Sequence, residues 1–120
     1  MDTIDIQATA RTPLLSFKPT EGLFLLEGES YPEDTRKFYD APLANVYAYL
    51  AQSTMPPSTF VFRLKYFNSS SAKVLMDLFV AIEDAACLEQ MLTPPDVAMD
   101  QRLKHYAEQR WRRNARVQAR

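Results

Sequence analysis

Residues 59–86 read TFVFRLKYFNSSSAKVLMDLFVAIEDAA, and this stretch decides the fold. In residues 59–67, large apolar side chains alternate with their neighbours, which is the pattern of a strand. From about residue 70 to residue 86, apolar side chains recur three and four positions apart, as they do in an amphipathic helix. The polar residues 68–71 between the two segments favour a turn and a helix start. The sequence therefore predicts a strand that passes directly into a helix.

Three shorter strands are predicted before this unit. Ile4, Ile6 and Ala8 alternate with polar residues, and residues 14–17 and 23–26 form two further apolar runs. Pro and Gly residues separate these runs and suit tight turns. The spacing indicates an antiparallel meander.

A helical region is predicted between the meander and the long strand. Its pattern indicates a short turn near residues 33–39 and a main helix near 41–52, because Pro42 blocks a hydrogen bond in the middle of a helix. Ser30 or Thr35 is the expected cap of this region. Pro32 should fix its start, and Tyr31 should pack near the helix of residues 70–86.

We therefore expect an α/β fold with a mixed four-stranded sheet over residues 4–67, two packing helices and a separate basic C-terminal helix. The expected division is a domain at residues 1–90 and a divergent basic segment at residues 91–120. From Val97 onward the residues have the pattern of a helix with a thin apolar stripe. We expect this helix to dock partially, through Leu103, Tyr106 and Trp111.

Net charge is unevenly distributed along the 120 residues. The chain has 14 Lys and Arg residues and 15 Asp and Glu residues, for a net charge of −1. Residues 1–100 carry a net −7, whereas residues 101–120 carry a net +6. A solvated terminal helix is the simpler interpretation of the basic end, and nucleic acid or an acidic membrane surface is the alternative partner.

Residue composition argues against most catalytic chemistries. One cysteine precludes an intrachain disulfide, one histidine and one cysteine preclude the usual zinc clusters, and two glycines preclude a Gly-rich phosphate loop. Asp77 and Glu83 do not share a helix face, and His105 has no visible orienting partner. We therefore expect no enzyme activity, no cofactor and no metal. The N-terminus does not resemble a signal peptide, and the apolar runs are far shorter than the ~20 residues of a membrane span, so we expect a cytoplasmic protein without membrane insertion.

The aromatic residues of the long strand have two possible roles. Phe60, Phe62, Tyr66 and Phe67 are expected in the core rather than on a surface that stacks nucleic acid bases. Only Arg63 and Lys65 interleave with them, which is sparse for nucleic acid binding.

The three serines at positions 69–71 are the sharpest candidate site. Hydroxyl groups at a helix start lie near unpaired backbone N–H groups and the positive end of the helix dipole. One interpretation is simple N-capping, for which Ser70 and Ser71 are the expected residues, with Asn68 shaping the turn. The other is a phosphorylation switch, because a phosphate there would gain N–H donors and add nearly two negative charges to the surface.

Two motifs in this chain resemble those of the SiaC-family regulatory phosphoproteins of bacteria. The first is Ser30-Tyr31-Pro32-Glu33, preceded by Gly28-Glu29 and followed by Phe38-Tyr39. The second is Tyr66-Phe67-Asn68-Ser69-Ser70-Ser71 with Lys73. The resemblance covers about residues 3–86, in matching order and spacing.

The resemblance implies a non-enzymatic switch protein with a fold similar to STAS domains. Family members are phosphorylated by a Ser/Thr kinase on the Thr of an Asn-Thr-Ser-Ser motif, and a PP2C-type phosphatase reverses this. The unphosphorylated form binds and activates a diguanylate cyclase, which links the system to cyclic di-GMP and biofilm formation. Ser69 occupies the position of the phosphorylated Thr, and Asn68, Ser70, Ser71 and Lys73 are the expected partner-binding residues around it.

Other functions stay open at this level. A STAS-like antagonist in another partner-switching pathway, such as anti-sigma control, is one alternative, and nucleic acid binding through residues 101–120 is another. The chain also departs from the family after residue 86. The family continues with a Gly-containing turn, a Val-rich strand and an acidic end, whereas residues 87–120 lack glycine and strand-like alternation. A sheet without that strand would expose an edge.

Overall fold

A computed structural model describes residues 3–52, 55–87, 96–99 and 103–105 of the chain. Its elements are β1 (Ile4–Ile6), β2 (Leu14–Lys18), β3 (Leu23–Ser30), α1 (Thr35–Leu50), β4 (Thr59–Phe67), α2 (Ser69–Cys87) and β5 (Asp96–Met99). The strands form one sheet in the order β1-β2-β3-β4-β5. The first three pair antiparallel, whereas β3, β4 and β5 are parallel neighbours. The predicted α/β class and antiparallel meander are thus confirmed.

The sheet has five strands, so the predicted count of four is wrong. The backbone of residues 96–99 pairs parallel with β4, from Thr59 opposite Asp96 to Phe62 opposite Met99. This short segment follows two prolines and has no alternating pattern, so its sequence suggested a helix. β5 covers the edge of β4 that a four-stranded sheet would have exposed.

The helix predicted from Val97 onward is wrong at residues 97–99, which belong to β5, and is confirmed at residues 103–105. Residues 103–105 have helical backbone, and Leu103 is fully buried in the core cluster. Docking through Leu103 is therefore confirmed, whereas Tyr106 and Trp111 lie outside the described residues. The division of the chain at residue 90 stays a prediction, although a strand from the second segment belongs to the sheet.

α1 is one continuous helix rather than a turn followed by a helix. Pro42 lies inside it, buried, where its missing N–H leaves the Phe38 carbonyl without the usual helical donor. The N-cap is Asp34, whose carboxylate accepts a hydrogen bond from the Lys37 N–H at 3.2 Å. The predicted caps, Ser30 and Thr35, do not have this role, because Ser30 is the last residue of β3 and Thr35 is the first helical residue.

Both helices pack on one face of the sheet, and an aromatic core fills the space between. The Phe17 ring of β2 meets Tyr49 of α1 edge-on at 5.4 Å between centroids, and Phe62 of β4 meets Phe79 of α2 at 4.8 Å. Phe60 and Phe62 are buried as predicted. Tyr66 shares their face of β4 but is 43% exposed, because it lies near the carboxyl end of the strand, after the last buried position, so its predicted place in the core is wrong. Phe67 is partly buried against the core.

Candidate functional site

The two sequence motifs meet where the neighbouring strands β3 and β4 end. β3 and β4 are parallel neighbours, and Ser30 lies opposite Phe67 in their register. The carboxyl ends of both strands therefore lie side by side, and the segments that follow them come together. A β-bulge after Gly28, whose φ of +123° suits glycine, adjusts the register just before these strand ends.

A chain of hydroxyl groups joins the motifs beneath the surface. The Ser30 hydroxyl donates to the Ser71 hydroxyl at 2.8 Å, and the Ser71 hydroxyl donates to the Ser30 carbonyl at 3.0 Å. The Tyr39 hydroxyl lies 2.5 Å from the Ser30 oxygen. Each hydroxyl has one proton to donate, so Tyr39 is the donor to Ser30. The chain connects β3, α1 and α2 through three buried side chains.

Tyr39 keeps its proton strongly in this environment. Burial raises the pKa of its hydroxyl to about 12, against the smaller opposing effect of the hydrogen bonds with Ser30 and Ser71. A neutral phenol can donate, which is the role that the proton count requires. Sequence reasoning noted Tyr39 only as part of a motif and missed its link to the serine cluster, which only the packing of α1 on the strand ends reveals.

The three serines at the start of α2 differ in accessibility. Ser69 and Ser70 are exposed, whereas Ser71 is fully buried. The cap of α2 is Asn68, whose side-chain oxygen accepts a hydrogen bond from the Ser71 N–H at 2.8 Å. The prediction that Ser70 and Ser71 are the caps is therefore wrong, because the Ser71 hydroxyl is committed to Ser30 instead. Lys73 is exposed one helical turn after Ser69.

The helix start leaves two backbone donors for a ligand. The Asn68 carbonyl accepts from the Ala72 N–H at 2.9 Å, and the Asn68 side chain takes the Ser71 N–H. Among the described residues, the N–H groups of Ser69 and Ser70 have no acceptor. They lie at the positive end of a 19-residue helix, where a negative group is stabilised.

The Ser30–Glu33 motif has both buried and exposed members. Ser30 and Pro32 are buried, Tyr31 is half-buried, and Glu33 is exposed. The Tyr31 ring packs edge-on against Tyr66, with 5.5 Å between centroids. Tyr31 therefore contacts the end of β4, directly before the serine cluster and the start of α2.

A groove between α1 and α2 opens beside the serine cluster. It has a volume of about 680 Å³ and includes Ser70 and Lys73 of α2 in its lining. Tyr39 and Leu43 of α1 contribute to its floor. Tyr47, which is 37% exposed, lines the far part of the groove. Sequence reasoning did not identify this groove, because it depends on how the two helices pack.

The fold and this site define a class of small α/β domains in which a central parallel strand passes into a helix through an exposed hydroxyl cluster. The family model for the SiaC family regulatory phosphoprotein matches residues 6–93, and the chain belongs to this family. The predicted family is thereby confirmed. Within the described residues, no helix has the length and apolar content needed to cross a membrane.

One known relative is similar to this chain in sequence, and two solved structures are similar in fold. An uncharacterized protein of Pseudomonas aeruginosa (strain UCBPP-PA14) is 31% identical over 85 residues, which cover 71% of this chain and 67% of the relative. Apo-SiaC from Pseudomonas aeruginosa has a TM-score of 0.78 at 24% identity, covering 99% of this chain and 97% of that one. A structure of the diguanylate cyclase SiaD in complex with its activator SiaC, from the same organism, matches with a TM-score of 0.75 at 24% identity, covering 98% and 99%.

Proposed function

We propose that this chain is a non-enzymatic phospho-switch adaptor whose unphosphorylated form binds and activates a diguanylate cyclase. The activator in the SiaD complex has the same fold, and the family is one of regulatory phosphoproteins, which supports this role. A Ser/Thr kinase and a PP2C-type phosphatase would set the phosphorylation state. The chain would act in the cytoplasm, in cyclic di-GMP signalling, and its fold would be STAS-like.

Ser69 is the proposed phosphoacceptor. The carrying observation is its exposure at the first residue of α2, next to two N–H groups without acceptors. Ser71 is a poor candidate, because its hydroxyl is fully buried, accepts a hydrogen bond from the Ser30 hydroxyl and donates one to the Ser30 carbonyl. Ser70 is exposed too, and the match to the family's phosphorylated Thr favours Ser69 over it.

Phosphorylation would act by blocking an interface. A phosphoserine carries −1.5 to −2 charges near neutral pH, by the general value for this group. A partner surface matched to a neutral hydroxyl would have to desolvate that charge without a counter-ion, which costs several kcal/mol, on the order of the penalty for a buried unpaired charge. The helix start would hold the phosphate with little change in fold.

Cyclase activation by purified variants tests the proposal. Wild type and Ser69→Ala should raise the cyclic di-GMP output of the cyclase from the same organism, and Ser69→Asp should not. Mass spectrometry after kinase treatment should show phosphate in wild type and none in Ser69→Ala. Full phosphorylation of Ser69→Ala would transfer the acceptor role to Ser70. Failure of unphosphorylated wild type to stimulate the cyclase would contradict the adaptor role.

A further inference from the structure

The groove between α1 and α2 has an apolar floor and a polarised rim. Its apolar lining includes Leu43, which is buried, from α1 and Val74 from α2. α1 and α2 run in the same direction, because each connects the carboxyl end of one parallel strand to the start of the next. One end of the groove therefore lies at both helix starts, beside Ser70, and the other lies toward both helix ends.

Charge differs between these two ends. Near the helix starts, Arg36 and Lys73 are balanced by Glu33 and by Asp34, whose carboxylate caps α1. One turn farther along each helix, Asp40 and Asp77 line the groove, and neither forms an ion pair within the described residues. The far half of the groove is thus acidic, whereas the half beside the serines is balanced.

Tyr47 strengthens the acidic half as a recognition surface. Burial, and to a smaller extent the nearby Asp77 carboxylate, raises the pKa of the Tyr47 hydroxyl. Tyr47 and Asp77 both line the groove, from opposite helices. An aromatic ring beside carboxylates suits a cationic side chain, which can pair with the acids and pack against the ring.

The walls favour a helical occupant over an extended one. Backbone groups within α1 and α2 are already hydrogen-bonded along each helix, so they offer nothing to an extended chain. An extended segment would leave its own N–H and C=O groups unpaired against the apolar floor, which is unfavourable. A helix satisfies its own backbone and can place an apolar stripe in such a groove.

We propose that the α1–α2 groove binds an amphipathic helix of the partner cyclase that places an Arg or Lys side chain between Asp40 and Asp77. The inference rests on the proposed adaptor function and specifies which kind of segment the partner uses, an amphipathic helix with a basic side chain. The other end of that helix would pass Ser70 and approach Ser69, where the surface is close to neutral before phosphorylation. Phosphate on Ser69 would then add charge at the end of the docked helix.

A charge reversal in the far half of the groove tests the inference. Asp77→Lys should weaken binding of the unphosphorylated chain to the cyclase by at least about tenfold, because it places like charges across the interface. Asp84→Lys is the matched control, since Asp84 is exposed on the same helix and does not line the groove. It should change the affinity by less than about twofold, because salt screens exposed charges away from the interface. Asp40→Asn with Asp77→Asn removes the charges without reversing them and should also weaken binding.

The outcomes separate this inference from the proposed function. If Asp77→Lys and the double Asn variant bind like wild type while Ser69→Asp does not, the groove is not the docking site and the switch stands. If Asp84→Lys weakens binding as much as Asp77→Lys, the effect is one of net charge and the groove assignment is wrong. If unphosphorylated wild type does not bind the cyclase, both proposals are wrong. Circular dichroism of each variant shows whether the fold is retained.

Discussion

At the scale of single residues, the buried hydroxyl chain Tyr39–Ser30–Ser71 ties the switch to the rest of the fold. Every buried side-chain polar atom among the described residues has a hydrogen-bond partner, so each hydroxyl in the chain is accounted for. Removing one member leaves its neighbours under-satisfied in an apolar setting. The serine cluster thus divides into two accessible residues and one that stabilises the site.

Ser71→Ala measures the stabilising role of Ser71. It should lower the free energy of unfolding by about 1–3 kcal/mol, because the Ser30 hydroxyl loses its acceptor in a buried site. Ser70→Ala is the matched control, since it makes the same change one position earlier at an exposed residue, and its effect should stay within about 0.5 kcal/mol. Urea unfolding of both variants gives the comparison. Equal effects would show that Ser71 has no special structural role.

Tyr39 makes stability depend on pH at the alkaline end. Its pKa rises from 10.0 in the unfolded reference to about 12 in the folded chain, so folding favours the protonated form. The contribution is complete below pH 10 and is lost as the pH rises toward 12, because only the unfolded chain then ionises freely. A pKa difference of two units between the folded and unfolded chain corresponds to about 3 kcal/mol of the free energy of unfolding.

Alkaline unfolding of wild type and Tyr39→Phe checks this. The wild-type free energy of unfolding should fall between pH 10 and pH 12, and the fall should be smaller in Tyr39→Phe. Tyr47, whose pKa is also raised, accounts for the fall in the free energy of unfolding with pH that remains in Tyr39→Phe. Identical slopes in the two proteins would mean that the Tyr39 hydroxyl is not protected.

At the scale of elements, the parallel pairing of β3, β4 and β5 positions both the site and the C-terminal segment. Pairing of β3 with β4 brings the two motifs together at the carboxyl ends of these strands. Pairing of β4 with residues 96–99 covers the other side of β4. Leu103 follows shortly afterward and is buried in the core cluster. The segment after α2 therefore contributes to the core despite its departure from the family pattern.

Leu103→Ala tests that contribution. It should lower the free energy of unfolding by about 2–5 kcal/mol, the usual range for a buried leucine truncated to alanine. Lys104→Ala, at the next position with a partly exposed side chain, should have little effect. Thermal or urea unfolding gives both values. A negligible change in Leu103→Ala would return the basic end to a peripheral role.

At the scale of the whole molecule, the proposed switch works without refolding. Ser69 is the first residue of α2, where a negative charge is favourable, and nothing needs to move to expose it. Phosphorylation should therefore change binding and leave stability intact. This separates an interface block from a conformational switch.

Ser69→Asp should accordingly be as stable as wild type or more stable, by about 0.3–1 kcal/mol from the helix dipole. Ser69→Asn is the neutral control of the same size and should lack the electrostatic gain. Thermal unfolding at low ionic strength gives the comparison. A marked destabilisation in Ser69→Asp alone would indicate that charge disrupts the helix start and that the switch involves unfolding.

The sequence by itself determined the local elements and the family of this protein. Alternation over residues 59–67 and helical spacing after residue 70 fixed β4 and α2 almost to the residue, because a half-buried strand and an amphipathic helix each impose their own period. The serine cluster was identified for the same reason, since polar residues between two such periods indicate a helix start.

Tertiary structure alone decided the fifth strand, the hydroxyl chain and the groove. Residues 96–99 become a strand because β4 offers them an unpaired edge, which no local pattern records. Ser30, Tyr39 and Ser71 meet because β3, α1 and α2 converge where β3 and β4 end. Tertiary contacts also decided which residue caps α2. The Ser71 hydroxyl forms its hydrogen bonds with Ser30, and the Asn68 side chain caps the helix by accepting from the Ser71 N–H. These features are contacts between residues distant in sequence, and a local pattern holds no information about which distant groups become neighbours.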